Sequence, residues 1–130
     1  MNNQPQTRGG FFTIAAWQRA DNLTVKIYQT TQTFLPQECY GLISQMQRSA
    51  VSVAANIAEG SGRRMLAAYI RFLFIAKGSL TEVEYYIHLA QRLSYLSSES
   101  HTELNRLQRM TAGALNGFIK FKENQRQHQS

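Results

Sequence analysis

The side chains able to do chemistry in this chain are few and scattered. There are three histidines (His88, His101, His128), one cysteine (Cys39) and one aspartate (Asp21). A di-iron centre in a helical bundle draws on several inward carboxylates and on Glu-x-x-His pairs, and no histidine here follows a glutamate by three. Glu84 and His88 stand one helical turn apart, a lone pair that more often faces solvent than metal. A zinc site needs about four ligands, and Cys39 has no cysteine or histidine beside it in sequence. A Cys-His nucleophile needs an activated thiol, and nothing near Cys39 supplies a base. The expectation is a protein that is not an enzyme, with no catalytic residue, no metal and no cofactor.

The stretch "NIAEGSGRR", residues 56–64, is the one local pattern that resembles a phosphate cradle. Dinucleotide and Walker loops both need a strand entering the glycines, and the Walker loop also needs Gly-Lys-Ser/Thr. Neither is present, so Gly60-Ser61-Gly62 reads as a corner between helices, with Gly60 as a left-handed cap just past the second helix. Arg63 and Arg64 then fall at the start of the third helix, where the helix dipole is already positive. That placement invites an anion, either a carboxylate such as Glu59 or a nucleic-acid phosphate. Other cations are spread along the fourth helix: Arg106 and Arg109, then Lys120, Lys122 and Arg126 near its end. Together with Arg63 and Arg64 they are the candidate nucleic-acid-binding residues. No zinc finger, RNP aromatic pair or KH loop accompanies them, so base-specific readout is not indicated.

Apolar periodicity predicts the elements that position these groups. Trp17, Ala20, Leu23, Ile27, Thr31 and Phe34 recur at three- and four-residue steps, up to a stop at Pro36. A second helix is expected from about Gln37 to Glu59, with Leu42, Met46, Val53 and Ile57 as its apolar stripe. Its only charge between Cys39 and Ala58 is Arg48, and Val51, Ala54, Ala55 and Ala58 make a small-residue face. A helix without a charged face is expected to be enclosed by protein on all sides. The third helix, from about Arg64 to Leu93, carries Leu66, Leu73, Leu80 and Ile87 at seven-residue steps. A second apolar side is formed by Ile75, Tyr86, Leu89 and Leu93. The fourth, from about Ser98 to Lys122, uses Leu104, Leu107, Thr111, Ala114, Phe118 and Phe121, and Ser98-Glu99 suits its N-terminus. No strand-like alternation competes. The fold class is all-α, an antiparallel up-down-up-down four-helix bundle over residues 13–122, with a flexible arm at 1–12 and a polar tail at 123–130.

A polar seam of Gln45, Ser49, Ser52, Asn56 and Glu59 runs along the second helix. Buried polar groups must be paired. Asn56 and Glu59 could mark an active-site acid. The favoured reading is a structural network with Arg48, Arg63 or Arg71, which fixes register between helices or subunits.

The chain has 130 residues and a formal net charge of +6, so an anionic partner fits by sign. The single cysteine excludes an internal disulfide and suits a reducing compartment. The polar start "MNNQPQTRGG" has no apolar signal-peptide region. No segment reaches the ~18 continuous apolar residues of a membrane span. A cytoplasmic location, without membrane contact, is expected.

"RSAVSVAANIAEGSGRR", followed by "YIRFLFIAKGSLTEVE", resembles a four-helix-bundle family that includes proteins encoded in intervening sequences of large-subunit ribosomal RNA. That family is related to the accessory variability proteins of diversity-generating retroelements. The likeness rests on Arg48, Ser52, Asn56 to Gly60, Arg63-Arg64, Arg71-Phe72-Leu73, Gly78-Ser79-Leu80, Glu82 and Glu84. "FFTIAAWQRA" and "LSYLS" extend it to roughly residues 12–122. The resemblance implies a homopentamer without enzyme activity. In the retroelement branch it implies a reverse transcriptase partner and binding of RNA or DNA. The expected function is therefore a non-enzymatic, basic, oligomeric nucleic-acid-binding adaptor. The alternative is a structural or protein-interaction oligomer encoded in a ribosomal RNA intervening sequence, without nucleic-acid binding.

Overall fold

Leu23, Ile27, Met46, Val53, Ile57, Leu73, Val83, Ile87, Leu104 and Leu115 are wholly buried, and they come from four helices. In the computed structural model, which describes residues 9–34 and 36–129 without the side chains of residues 36–39, these helices are α1 (Ala15–Thr31), α2 (Pro36–Ser61), α3 (Leu66–Arg92) and α4 (Ser98–Gln127). No strand occurs among the described residues. Each helix packs on its neighbours in sequence and α4 closes back onto α1, while the diagonal pairs are not adjacent.

Cross-helix contacts show that the neighbours run antiparallel. Thr24 Oγ1 donates to the Ala50 carbonyl at 3.1 Å, while Gln47 Nε2, nearer the start of α2, donates to Thr31 Oγ1, nearer the end of α1. Ser52 and Ser79 share a hydroxyl bond of 2.8 Å midway along α2 and α3, and Gly60 meets Tyr69 and Phe72 at their corner. Tyr69, early in α3, packs edge-on against Phe118, late in α4.

Several expected boundaries shift for identifiable reasons. Pro36 does not merely stop α1. It is the first residue of α2, where a missing N–H costs nothing. Gly60 is not a left-handed cap, because α2 continues through it to Ser61 and only Gly10 among the described glycines has positive φ. The left-handed cap lies instead at Ser94, φ 62°, where Tyr95 N–H donates to the Ala90 carbonyl and Ser94 N–H to that of Gln91. That is the paired hydrogen-bond pattern of a Schellman end. The N-cap of α4 is Ser97, one residue earlier than expected. Its hydroxyl accepts from the Ser100 N–H at 3.0 Å, and Glu99 occupies the first turn. Helix α4 runs on to Gln127, so most of the polar tail at 123–130 is helical, while Ser130 lies outside the described residues. Of the arm at 1–12, residues 1–8 lie outside the described residues too. Phe11 and Phe12, in a 3-10 turn at Gly10–Thr13, dock on Trp17 at ring separations of 5.0 and 5.1 Å.

The expectation that α2 is enclosed on all sides is not met within one chain. A closed ring of four helices has no central position, and Val51 and Ala55 are exposed on the outer face of α2. On the adjoining α3, Ile75 and Leu93 are exposed, with Tyr86 and Leu89 half-buried.

Candidate nucleic-acid interface

The α2–α3 corner is built by a close approach. A Cβ placed on Gly60 would lie 3.0 Å from both Phe72 Cβ and Tyr69 Cδ1, and 3.2 Å from the Tyr69 carbonyl oxygen. With no side chain at Gly60, the end of α2 settles directly on the first two turns of α3. The rings of these two residues each carry a cation. The Arg63 guanidinium lies over Phe72, 4.7 Å from the ring centre. Lys122 Nζ, arriving from the far end of α4, lies 4.8 Å from the centre of Tyr69, 5.4 Å from Phe118 and 5.8 Å from Phe121. A ring face attracts a cation through its quadrupole and leaves its N–H groups free to bond elsewhere. Burial raises the Tyr69 phenol above its ordinary pKa.

The remaining cations divide into two groups. Arg64, Lys120 and Arg126 are exposed at this same end, Lys120 and Arg126 beside Ile70 of α3 in a shallow depression. Arg106 and Arg109 lie toward the other end; Arg106 is about 24 Å along α4 from Lys122 at 1.5 Å per residue. Arg106 is held by Glu103 in a two-pronged pair, Nε to Oε1 and Nη2 to Oε2 both at 2.9 Å. That hydrogen bonding lowers the Glu103 carboxyl and raises the Arg106 guanidinium, with Lys26 adding to the pull on Glu103. Arg109 is exposed. The seven candidate cations are thus not one surface. Arg63, Arg64, Lys120, Lys122 and Arg126 share an end, and Arg106 and Arg109 do not.

The expected network of Arg48, Asn56, Glu59 and Arg71 does not form as one unit. Asn56 Nδ2 donates to the Ser52 carbonyl at 2.8 Å and to its hydroxyl at 3.0 Å, and Ser52 bonds Ser79, so these three residues link α2 to α3. Glu59 leaves the seam. Its side chain is 53% exposed and pairs with Arg63 at 2.6 Å, one turn on. Arg48 and Arg71 are exposed and make no ion pair among the described residues. In the heptad series Gln45, Ser52 and Glu59 only Ser52 is half-buried, where it bonds Ser79 of α3. Residues at heptad spacing drift about 20° per heptad around a straight helix, which turns Glu59 further from the core, while Gln45 is exposed without it.

The same drift moves Phe121. Leu107, Ala114 and Phe121 are a heptad series whose first two members are half-buried, while Phe121 is 54% exposed rather than part of the core. Leu104 and Thr111 are buried as expected, and Gln108, Leu115 and Ile119 complete the core side of α4. Phe121, which periodicity assigns to the core, and the 71% exposed Met65, which it does not identify, are apolar members of the cationic end. No cluster of three or more His, Cys, Asp or Glu suited to a metal occurs among the described residues, and no described helix is long and apolar enough to cross a membrane.

Known proteins place this bundle in a family context. The model of the 23S rRNA-intervening sequence protein family matches residues 13–117. A crystal structure of a protein of unknown function from the S23 ribosomal protein family of Bacteroides thetaiotaomicron has a similar fold, with a TM-score of 0.74 and 27% sequence identity. The similarity covers 82% of this chain and 99% of that one. None of the curated proteins matches.

Proposed function

The chain belongs to the 23S rRNA-intervening sequence protein family, and we propose that it works there as a non-enzymatic, oligomeric adaptor that binds nucleic acid through the α2–α3 end of the bundle. The observation that carries this reading is the seating of Arg63 and Lys122, from segments far apart in sequence, on the neighbouring rings of Phe72 and Tyr69. Arg64, Lys120 and Arg126 stand exposed around them. Among the described residues only Glu59 and Glu123 oppose them there, and Glu59 is engaged by Arg63. Cations gathered this way neutralise phosphates and release counterions, which gives sequence-independent affinity.

The outer face of α2, where Val51 and Ala55 are exposed beside the single charge of Arg48, together with the exposed Ile75 and Leu93 of α3, supports self-association, since apolar helix faces in soluble proteins are usually covered. A pentamer of +6 chains would carry about +30. The resemblance to retroelement accessory proteins adds a reverse transcriptase as the protein partner. A reverse transcriptase gene with a template repeat beside this one supports that branch. A position inside a ribosomal RNA gene supports the other.

The test is equilibrium binding of labelled RNA and DNA of unrelated sequences at several salt concentrations. Similar affinities that fall steeply with salt support the reading. Absence of binding at low salt overturns it and leaves the structural or protein-interaction oligomer as the better account, favoured by the same α2–α3 face.

A further inference from the structure

We propose that the nucleic acid held at this end is single-stranded, with an unpaired base stacked on the exposed ring of Phe121 beside Lys122. The inference rests on the nucleic-acid reading above and goes beyond it, because phosphate neutralisation alone does not distinguish a single strand from a duplex.

The Phe121 ring is 54% exposed. A Cβ on Gly117, one turn earlier, would meet nothing within 4 Å, so the ring does not pack back against that turn of its own helix. Lys122 Nζ stands 5.8 Å from the ring centre, and Lys120 is the preceding residue. Met65, 71% exposed, sits one turn before Tyr69, whose N–H donates to the Met65 carbonyl at 3.1 Å, so a second apolar group is presented at the same end. Exposed aromatic surface interleaved with cations is the composition of single-strand binding surfaces, where cations follow the backbone and rings take the bases. A duplex keeps its base faces stacked internally and can offer this end only phosphates. A single strand offers both, and Phe121 contributes only for the single strand.

The measurement is fluorescence anisotropy with a labelled single-stranded oligonucleotide and with the duplex of the same sequence, using the full chain, Phe121→Ala and Phe121→Tyr. The wild type should bind the single strand more tightly. Phe121→Ala should weaken single-strand binding by about 5- to 150-fold, the range for removal of one base stack, without changing the salt slope or the duplex affinity. Phe121→Tyr should retain the preference. Equal affinity for both forms, or an Ala variant that binds the single strand like wild type, overturns this inference while leaving nucleic-acid binding in place. Binding of neither form overturns the underlying reading as well. A change of oligomeric mass in Phe121→Ala, read by light scattering, assigns the ring to a contact between subunits and also overturns the proposal.

Discussion

Gly60 and Tyr69 are in such close register that a single methyl group on Gly60 would press against both the ring and the carbonyl oxygen of Tyr69, at 3.0 and 3.2 Å. The corner of α2 and α3 therefore depends on an absent side chain within a helix, where glycine by itself costs about 1 kcal/mol relative to alanine. Gly60→Ala should lower stability by about 1–2 kcal/mol, overpacking outweighing the gain in propensity. Gly113 and Gly117 are helical too, but a Cβ on either meets open space. Gly113→Ala and Gly117→Ala should each raise stability, by up to about 1 kcal/mol. Urea unfolding of the three variants checks the opposite signs, and equal shifts would refute the close-approach account.

Ser94 holds the left-handed conformation that ends α3, at φ 62°. A residue with a Cβ is strained there and glycine is not. Ser94→Gly should be neutral to stabilising, by up to about 1 kcal/mol after allowing for the freer unfolded chain. A thermal melt decides it, and a clear drop in stability would mean that the serine hydroxyl does something the corner needs.

Much of the fold is legible in sequence, because buried positions such as Leu73, Leu80 and Ile87 repeat closely enough to mark a helix face. What misleads is extrapolation along that repeat. Strict seven-residue spacing assigns Glu59 and Phe121 to the buried side, and the helix itself carries both off the core. Gly60 misleads for a different reason. A glycine after a polar stretch has the local signature of a cap, while its actual role is set by Tyr69 and Phe72 across the corner. The same limit applies to the basic residues. Sequence supplies their sign, but only the fold separates Arg106, already held by Glu103, from Lys122 on the rings of Tyr69, Phe118 and Phe121.

Glu103 titrates below its ordinary range, first because Arg106 hydrogen-bonds its carboxylate. A folded-state value below the unfolded one stabilises the fold above the unfolded pKa, and this contribution disappears as pH falls through the depressed folded value. The loss of stability should therefore appear only on the acid side of the normal carboxylate range. Carbon-detected NMR titration should place the Glu103 midpoint below the ordinary glutamate value. In Arg106→Gln the midpoint should return to normal.

The outer face of α2 and α3 should hold subunits together. Multi-angle light scattering of the purified chain should give a mass near five chains. Ile75→Glu, at an exposed position within the fold of one chain, should reduce that mass while leaving the helical circular dichroism intact. A monomeric wild type at micromolar concentration would remove self-association from the proposed function.

Arg63 and Arg64 give the most demanding prediction, because one of them already has an intramolecular partner. Arg63 pairs with Glu59 and lies on Phe72, yet the pair is exposed, and exposed pairs contribute only about 0–1 kcal/mol. A phosphate can therefore compete for that guanidinium at little cost, and Arg64 is exposed beside it. Replacing both with alanine should weaken binding to all sequences alike and reduce the salt slope by about one unit for each phosphate no longer neutralised. Glu59→Gln should act in the opposite direction, freeing Arg63 and strengthening binding at low salt. Oligomeric mass must be measured on each variant first, since failure of the double mutant to assemble would make these arginines part of a subunit interface. With assembly intact, an unchanged salt slope in the double mutant would assign phosphate binding to Lys120, Lys122 and Arg126.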